Sequence, residues 1–276
     1  MGKRKRIVYS LIGLAVAALI LFPIVWMLPG AFKPKSELFA LPNHFLPQNA
    51  TMQNFQTVFE LDTNGFNFVR SLGVTVVVAV LAMLLSLLVN TMAGYVFARF
   101  RFPGKKFLWL YFLFTMFTPG ITILLTSIRV VNFLNMTDTI WVLILPAASN
   151  AYNIFFFRQF YLGIPGSLEE AAMIDGAGRF QIFWKIFVPM SSTPMVVIGV
   201  GVFMSNYNSF LWPTLTIVNN PELQQIMQGI RMLSSSYAGQ FGVVIAATLL
   251  SLIIPILVFA IFQKWIMEGV ALTGIK

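Results

Sequence analysis

The chain contains no cysteine, which excludes disulfides and thiolate metal sites. Histidine is reduced to one, His44, in a stretch rich in Pro and Asn. One imidazole falls short of the three or four ligands of a metal centre. Charge is scarce too. Asp, Glu, Lys and Arg make up 10% of the 276 residues, against about 25% in a soluble globular domain. Acids are the rarest, nine against eighteen Lys and Arg, and none falls inside an apolar run. A carboxylate in mid-span is the usual mark of a proton or sodium relay, so this absence counts against an ion-coupled carrier. Also missing are G-x-x-x-x-G-K-[ST] and G-x-S-x-G. Gly176-Ala177-Gly178 follows no strand and lacks the remaining glycine of a dinucleotide fingerprint. These absences leave no means of hydrolysing ATP, no covalent chemistry and no cofactor bound by the chain itself.

What is abundant is apolar surface, 58% of the residues, more than any soluble core of this length needs. The expected solvent is lipid. Six stretches reach the roughly 20 apolar residues of a spanning helix: 7–29, 72–97, 107–128, 139–157, 191–212 and 241–262. The expected fold is all-α, a polytopic membrane protein with one transmembrane domain over residues 1–276. Lys3 to Arg6 precede the first run. That run is too long for the ~7–15 residues of a signal-peptide core, and no small-x-small cleavage site follows it. In a soluble protein a net charge of +9 would suggest nucleic acid. In a membrane protein the question is on which side the charge lies. Six spans put both ends on one side. That side takes thirteen of the eighteen basic residues, among them Arg99, Arg101, Lys105, Arg158 and Arg179. The other side takes Lys33, Lys35, Arg70, Arg129 and Arg231. The bias predicts cytoplasmic termini and no nucleic-acid partner. The larger outer loops, 31–71 and 214–240, are too short for domains with their own cores and are candidates for short helices.

Neutral polar groups do enter the spans. Thr115, Thr118 and Thr122 occupy the third. Ser149, Asn150, Tyr152 and Asn153 interrupt the fourth. Asn206, Tyr207, Asn208 and Ser209 interrupt the fifth, just before Trp212-Pro213. Two readings stand: helix–helix hydrogen bonding, or a pathway for a neutral polar solute along Asn150, Asn153, Asn206, Tyr207, Asn208 and Trp212. Pro23, Pro119, Pro146 and Pro255 each free a carbonyl one turn earlier and can kink a span.

The outlier is residues 166–189, between the fourth and fifth runs. Glu169, Glu170, Asp175, Arg179 and Lys185 cluster there with small residues and aromatics. Pro165-Gly166 ends what precedes. Ser167 and Glu170 have capping-box spacing, which predicts a helix start at Ser167. Gly176 and Gly178 interrupt it. Phe180, Phe183, Trp184 and Phe187 then follow at i, i+3, i+4 and i+7, one expected apolar stripe, and Pro189 is expected to close the unit. An amphipathic helix on the membrane surface accounts for the stripe. The small patch of Ala171, Ala172, Gly176 and Gly178 beside acids suits docking into a groove of another protein. The pattern alone leaves both open.

At this point the residues resemble a known family. Glu170-Ala171-Ala172, three residues, Gly176, nine residues and Ile186-Phe187-Val188-Pro189 are similar to E-A-A-x-x-x-G-x9-I-x-L-P, the cytoplasmic signature of binding-protein-dependent ABC importer permeases. Val188 stands where leucine is usual. Asn206 to Pro213 is similar to W-N-x-F-L-W-P of the carbohydrate-uptake, maltose-permease-like branch, with Tyr207 in place of the first Trp. Gln263 to Lys276 is similar to the family's C-terminal tail.

The resemblance implies a type I importer permease core with a cytoplasmic coupling helix. It implies that Glu170, Ala171, Ala172, Asp175 and Gly176 engage a separate ATPase subunit. Two ATPase subunits holding ATP and Mg, a second homologous permease and an extracytoplasmic solute-binding protein would complete the assembly, in a bacterial or archaeal cytoplasmic membrane. The solute would be a mono- or oligosaccharide or a derivative. The competing reading is a stand-alone secondary transporter or channel for a neutral polar solute.

Overall fold

The computed structural model describes residues 3–42, 44–63, 66–236 and 240–274. Ile275 and Lys276, which end the tail resemblance, lie outside the described residues. The elements run α1 Lys3–Ala31, α2 Lys35–Leu38, α3 Gln53–Glu60, a two-stranded antiparallel hairpin of β1 Asp62–Thr63 and β2 Phe66–Asn67, and α4 Phe68–Arg99. Then come α5 Lys105–Thr115, α6 Gly120–Phe133, α7 Ile140–Ile144, α8 Ala151–Leu162, α9 Gly166–Ile174, α10 Arg179–Ile182, α11 Val188–Met190, α12 Ser192–Tyr207, α13 Leu211–Thr216, α14 Ile226–Ser236 and α15 Phe241–Gly274.

Among the described residues, three helices are long and apolar enough to cross a membrane singly: Ile7–Ala31, Phe68–Arg99 and Phe241–Met267. Three bent pairs pass the same test together, bringing the number of crossings to as many as six. The third expected span is broken: α5 and α6 meet at 106°, with Pro119 as the N-cap of α6. Pro119 holds extended backbone there, ψ 131°, and the residue before a proline avoids the helical region. The fourth bends by 41° between Ile140–Ala147 and Ala151–Leu162, where Pro146 sits in a 3₁₀ turn, Leu145–Ala147. The fifth stops at Tyr207 and resumes as α13. Pro23 and Pro255 lie inside α1 and α15, which continue through them.

The chain divides into two compact units, residues 1–69 with 229–253, and residues 70–228 with 254–276. In the first, α3 and the hairpin supply a core of Val58, Leu61, Phe66 and Phe68, with Leu233, Val243, Ala246 and Ala247 from the later segment. Asn54 Nδ2 donates to the carbonyls of Ala31 and Lys33 at 2.8 and 2.9 Å, closing the open C-terminal turn of α1. A Cβ on Gly229 would fall 1.7 Å from the Phe66 ring, so only glycine lets that segment reach the hairpin. The apolar window of α1 is wholly exposed. Short helices α2 and α3 fill the 31–71 loop as expected. His44 is an exposed loop residue whose carbonyl accepts from Lys33 Nζ.

Among the described residues of the second unit, two buried clusters stand out. One joins Val78 of α4, Val131 of α6, Val142, Leu143 and Ile144 of α7, and Ile217. Beside it, Asp138 takes a left-handed backbone, φ 59°. Its carboxylate accepts from the amides of Val218 at 2.6 Å and Asn219 at 2.8 Å, tying the turn before α7 to the one after α13. Burial alone would raise its pKa, but the Asn219 and Val218 amides outweigh that and hold it below the ordinary carboxylate value. The other core lies under the 163–191 segment.

Candidate functional site

The 163–191 segment is built on an aromatic base. Tyr95 and the rings of Phe157, Tyr161, Phe183 and Phe187 are all buried, with Ile164, Ile182 and Ile198. Tyr95 lies 4.7 Å from Phe187 and 5.3 Å from Phe183, ring centre to ring centre, and Tyr161 is 5.3 Å from Phe187. Helices α4 and α8 approach closely enough that a Cβ on Gly94 would meet Phe157 Cβ at 2.7 Å. The expected stripe is therefore split. Phe183 and Phe187 are buried, while Phe180 and Trp184 are 67% and 42% exposed. The cause is a π-turn over Phe183–Phe187, which widens the helix and shifts the register of the face it presents. Pro189 does not close the segment either. The helix runs through it to Met190 and breaks at Ser191, where the two arms meet at 79°. Ser191 Oγ donates across that break to the carbonyls of Phe187 and Val188, both at 2.9 Å.

Arg99, the last residue of α4, ties this base to α9. Its Nη2 donates to the carbonyl of Tyr161 at 2.7 Å and to that of Ile164, satisfying the open end of α8. Its Nε lies 3.7 Å from Glu169 Oε2, and Arg179 binds the other oxygen, Oε1. Glu169 is buried. The expected capping box does not form. Pro165 is the N-cap, so the helix starts at Gly166 and Ser167 already lies inside the first turn, without a side-chain capping bond. The acid with the internal role is thus Glu169. Glu170 is exposed.

The C-terminus of α9 is a Schellman turn. Gly176 takes φ 82°, its amide donates to Met173 O at 3.1 Å, and the Ala177 amide donates to Ala172 O at 2.9 Å. Ala172 and Ala177 both pack on the aromatic base. What remains outward is a crest of Glu170, Ala171, Met173, Ile174 and Asp175, with Ile174 86% exposed. Gln181 Oε1 accepts from the Gly178 amide at 3.1 Å and starts the next helix.

A separate cavity of about 430 Å³ lies between the α7–α8 break and α12. Asn150, Asn153 and Asn206 line it, together with Ser149, Tyr152 and Ser205. No charged side chain is among its lining residues. Asn150 Oδ1 also caps α8, accepting from Tyr152 N at 2.9 Å and Asn153 N at 3.3 Å. Asn206 Nδ2 donates back to Val202 O at 2.8 Å.

Three expected pathway residues lie elsewhere. Tyr207 is fully buried and stacks on Phe203. Asn208 turns back to Met204 O at 3.0 Å. Trp212 Nε1 donates to Val142 O at 2.8 Å. Pro146 has no N–H, so the carbonyl four residues earlier, that of Val142, loses its helical partner. The indole N–H replaces it. Asn90, buried within α4, was not among the expected site residues. Its Nδ2 donates to Ala148 O at 3.1 Å and its Oδ1 accepts from Asn150 N at 2.9 Å, so one amide satisfies two further backbone groups at the break. An amide inside a long apolar run, with Ser86 one turn before it, was the available signal.

Residues 90–271 match the family described as binding-protein-dependent transport system inner membrane component. The chain belongs to this family. The permease is 34% identical over 256 residues to the sn-glycerol-3-phosphate transport system permease protein UgpE of Yersinia enterocolitica, covering 91% of this chain and 90% of that one. It is 28% identical over 268 residues to the arabinooligosaccharides transport system permease protein AraQ of Halalkalibacterium halodurans, covering 96% and 95%. With the lactose transport system permease protein LacG of Rhizobium radiobacter it shares 30% over 261 residues, covering 95% and 93%. Its fold matches a chain of a bacterial ABC transporter involved in the import of the acidic polysaccharide alginate, at TM-score 0.82 and 22% identity, over 96% of this chain and 98% of that one. The expected family and fold are borne out, and the permease is a component of a transport system.

Proposed function

We propose that this permease forms half of the translocation pathway of an ATP-driven importer for a sugar or sugar derivative delivered by an extracytoplasmic binding protein. Its termini and the 163–191 segment face the cytoplasm. ATP and Mg are held by two partner ATPase subunits, and a second permease completes the pathway. Glu170, Ala171, Ala172, Asp175 and Gly176 form the coupling contact.

The observation that supports this reading is the division of the segment into a buried base and an exposed crest. Ile174 projects from a helix whose underside is anchored by Arg99, Glu169 and the aromatic base. A load applied to the crest passes into α4, α8 and α12 rather than dissipating in a loop. The ATPase cycle then shifts the permease between two packings. The uncharged cavity of Asn150, Asn153 and Asn206 suits hydroxyl-rich solutes, since amides both donate and accept.

Replacing Glu170 with Lys tests the coupling. Solute uptake and solute-stimulated ATPase activity of the reconstituted transporter fall at least ten-fold, while insertion and thermal stability hold. Unchanged uptake would sink this assignment. A transporter active in liposomes as this chain alone would favour the secondary-carrier reading.

A further inference from the structure

A second cavity, of about 630 Å³, opens between the end of α4, the start of α5 and α9. Arg99, Arg101, Lys105 and Arg179 line it, against Glu169 and Glu170. Glu169 is already engaged by Arg99 and Arg179, and Glu170 belongs to the exposed crest. The cavity therefore keeps an excess of positive charge. Arg99 Nε is buried with no hydrogen-bond partner, its nearest carboxylate oxygen 3.7 Å away. Lys105 Nζ donates to Phe100 O at 2.7 Å, which holds the ammonium in the turn between the helices.

Position narrows the ligand. Arg99 ends one apolar helix and Lys105 begins the next. Apolar side chains follow the cationic mouth directly: Phe107 is 73% exposed and Leu108 45%, with Tyr111 one turn on at 62%. A cationic cavity above an exposed apolar track matches an amphiphile, anionic at its head and apolar behind it. A soluble anion would use the cationic mouth but not the apolar track that continues from it. We propose that this cavity binds the phosphate of an anionic phospholipid headgroup, with the acyl chains lying along α5. Basic pockets between membrane helices hold lipid headgroups in this way. The inference rests on α4 and α5 lying in the bilayer and is independent of the solute.

The test is native mass spectrometry of the assembled transporter after incubation with phosphatidylglycerol, phosphatidylcholine or inorganic phosphate. Phosphatidylglycerol is expected to stay bound, phosphatidylcholine to leave, and inorganic phosphate at equal concentration not to displace the lipid. Arg101→Gln with Lys105→Gln weakens phosphatidylglycerol binding about thirty-fold, and Arg101→Gln alone about five-fold, from the usual strength of one near-surface cation. Lys106→Gln, whose side chain is not part of the cavity wall, leaves binding unchanged and controls for net charge. Equal retention of the two lipids, or retention unaffected by both Gln variants, overturns the proposal. Displacement by inorganic phosphate makes this a soluble-anion site instead. Lipid retained by the permease pair but absent from the complete assembly gives the cavity to an ATPase side chain, which also overturns it.

Discussion

The 163–191 segment and the α7–α8 break are both places where a helix is interrupted, and they repair the interruption in opposite ways. The segment uses charge and aromatic bulk: Arg99 closes the open carbonyls of α8 and is held by Glu169, over a base of five buried rings. The break uses neutral groups. Asn90 donates to Ala148 O and accepts from Asn150 N, and Trp212 donates to Val142 O. The difference follows from surroundings. A guanidinium can sit at the end of α4, where water and counter-charge are near. Deeper along the helices an unpaired charge costs several kcal/mol, and an amide or indole N–H satisfies the same carbonyl more cheaply. The first repair yields a stiff mount with an exposed crest. The second leaves an uncharged cavity.

Arg99→Ala should break the stiffer side hardest. It removes one of the two guanidiniums that hold Glu169 and uncovers two carbonyls, so a loss of about 3 kcal/mol is expected, most of it from the carbonyls left open. Thermal unfolding in detergent measures it. A loss below about 1 kcal/mol would show the hub to be peripheral. On the neutral side, Trp212→Phe keeps the ring but removes the donor to Val142 O. About 2 kcal/mol is expected for a buried carbonyl left unsatisfied. A double variant with Pro146→Ala restores the helical N–H and should recover part of that loss. Absence of any recovery would disprove the link between the proline and the indole. Gly176→Ala forces a Cβ into the left-handed region and should cost about 1 kcal/mol, with hydrogen exchange rising at α9 first.

The smallest effect concerns the Asp138 staple, which lies outside both regions. Its carboxyl is held below its ordinary value in the folded state. The stabilisation is therefore intact above about pH 4, the unfolded value, and is lost as pH falls through the lower folded value. Asp138→Asn should be less stable than the native chain at pH 6 and approach it near pH 2. A gap that stays constant between those pH values would rule out a contribution from the carboxylate charge.

Much of this was legible without coordinates. Apolar runs located the long helices because a spanning helix must be apolar over about 20 residues, and Gly176 was legible as an interruption of the helix because glycine has the widest backbone freedom. Other placements were not legible, for definite reasons. Ser167 and Glu170 have capping-box spacing, but Pro165 starts the helix early. Trp212 and Tyr207 look like solute contacts by residue type. The fold instead directs one to a carbonyl and buries the other against Phe203. The alternation that exposes Phe180 and Trp184 depends on a π-turn, which leaves no periodic signature.

The sequence by itself determined a helical membrane permease of a known family, with one polar segment among its apolar runs, because composition and a long local motif are properties of the chain alone. Which acid is buried, which amide bridges the break and which polar residues share a cavity were decided only by tertiary structure. Those outcomes depend on which backbone groups are left open where helices stop, and on which side chain from a distant helix lies within 3 Å or so to satisfy them.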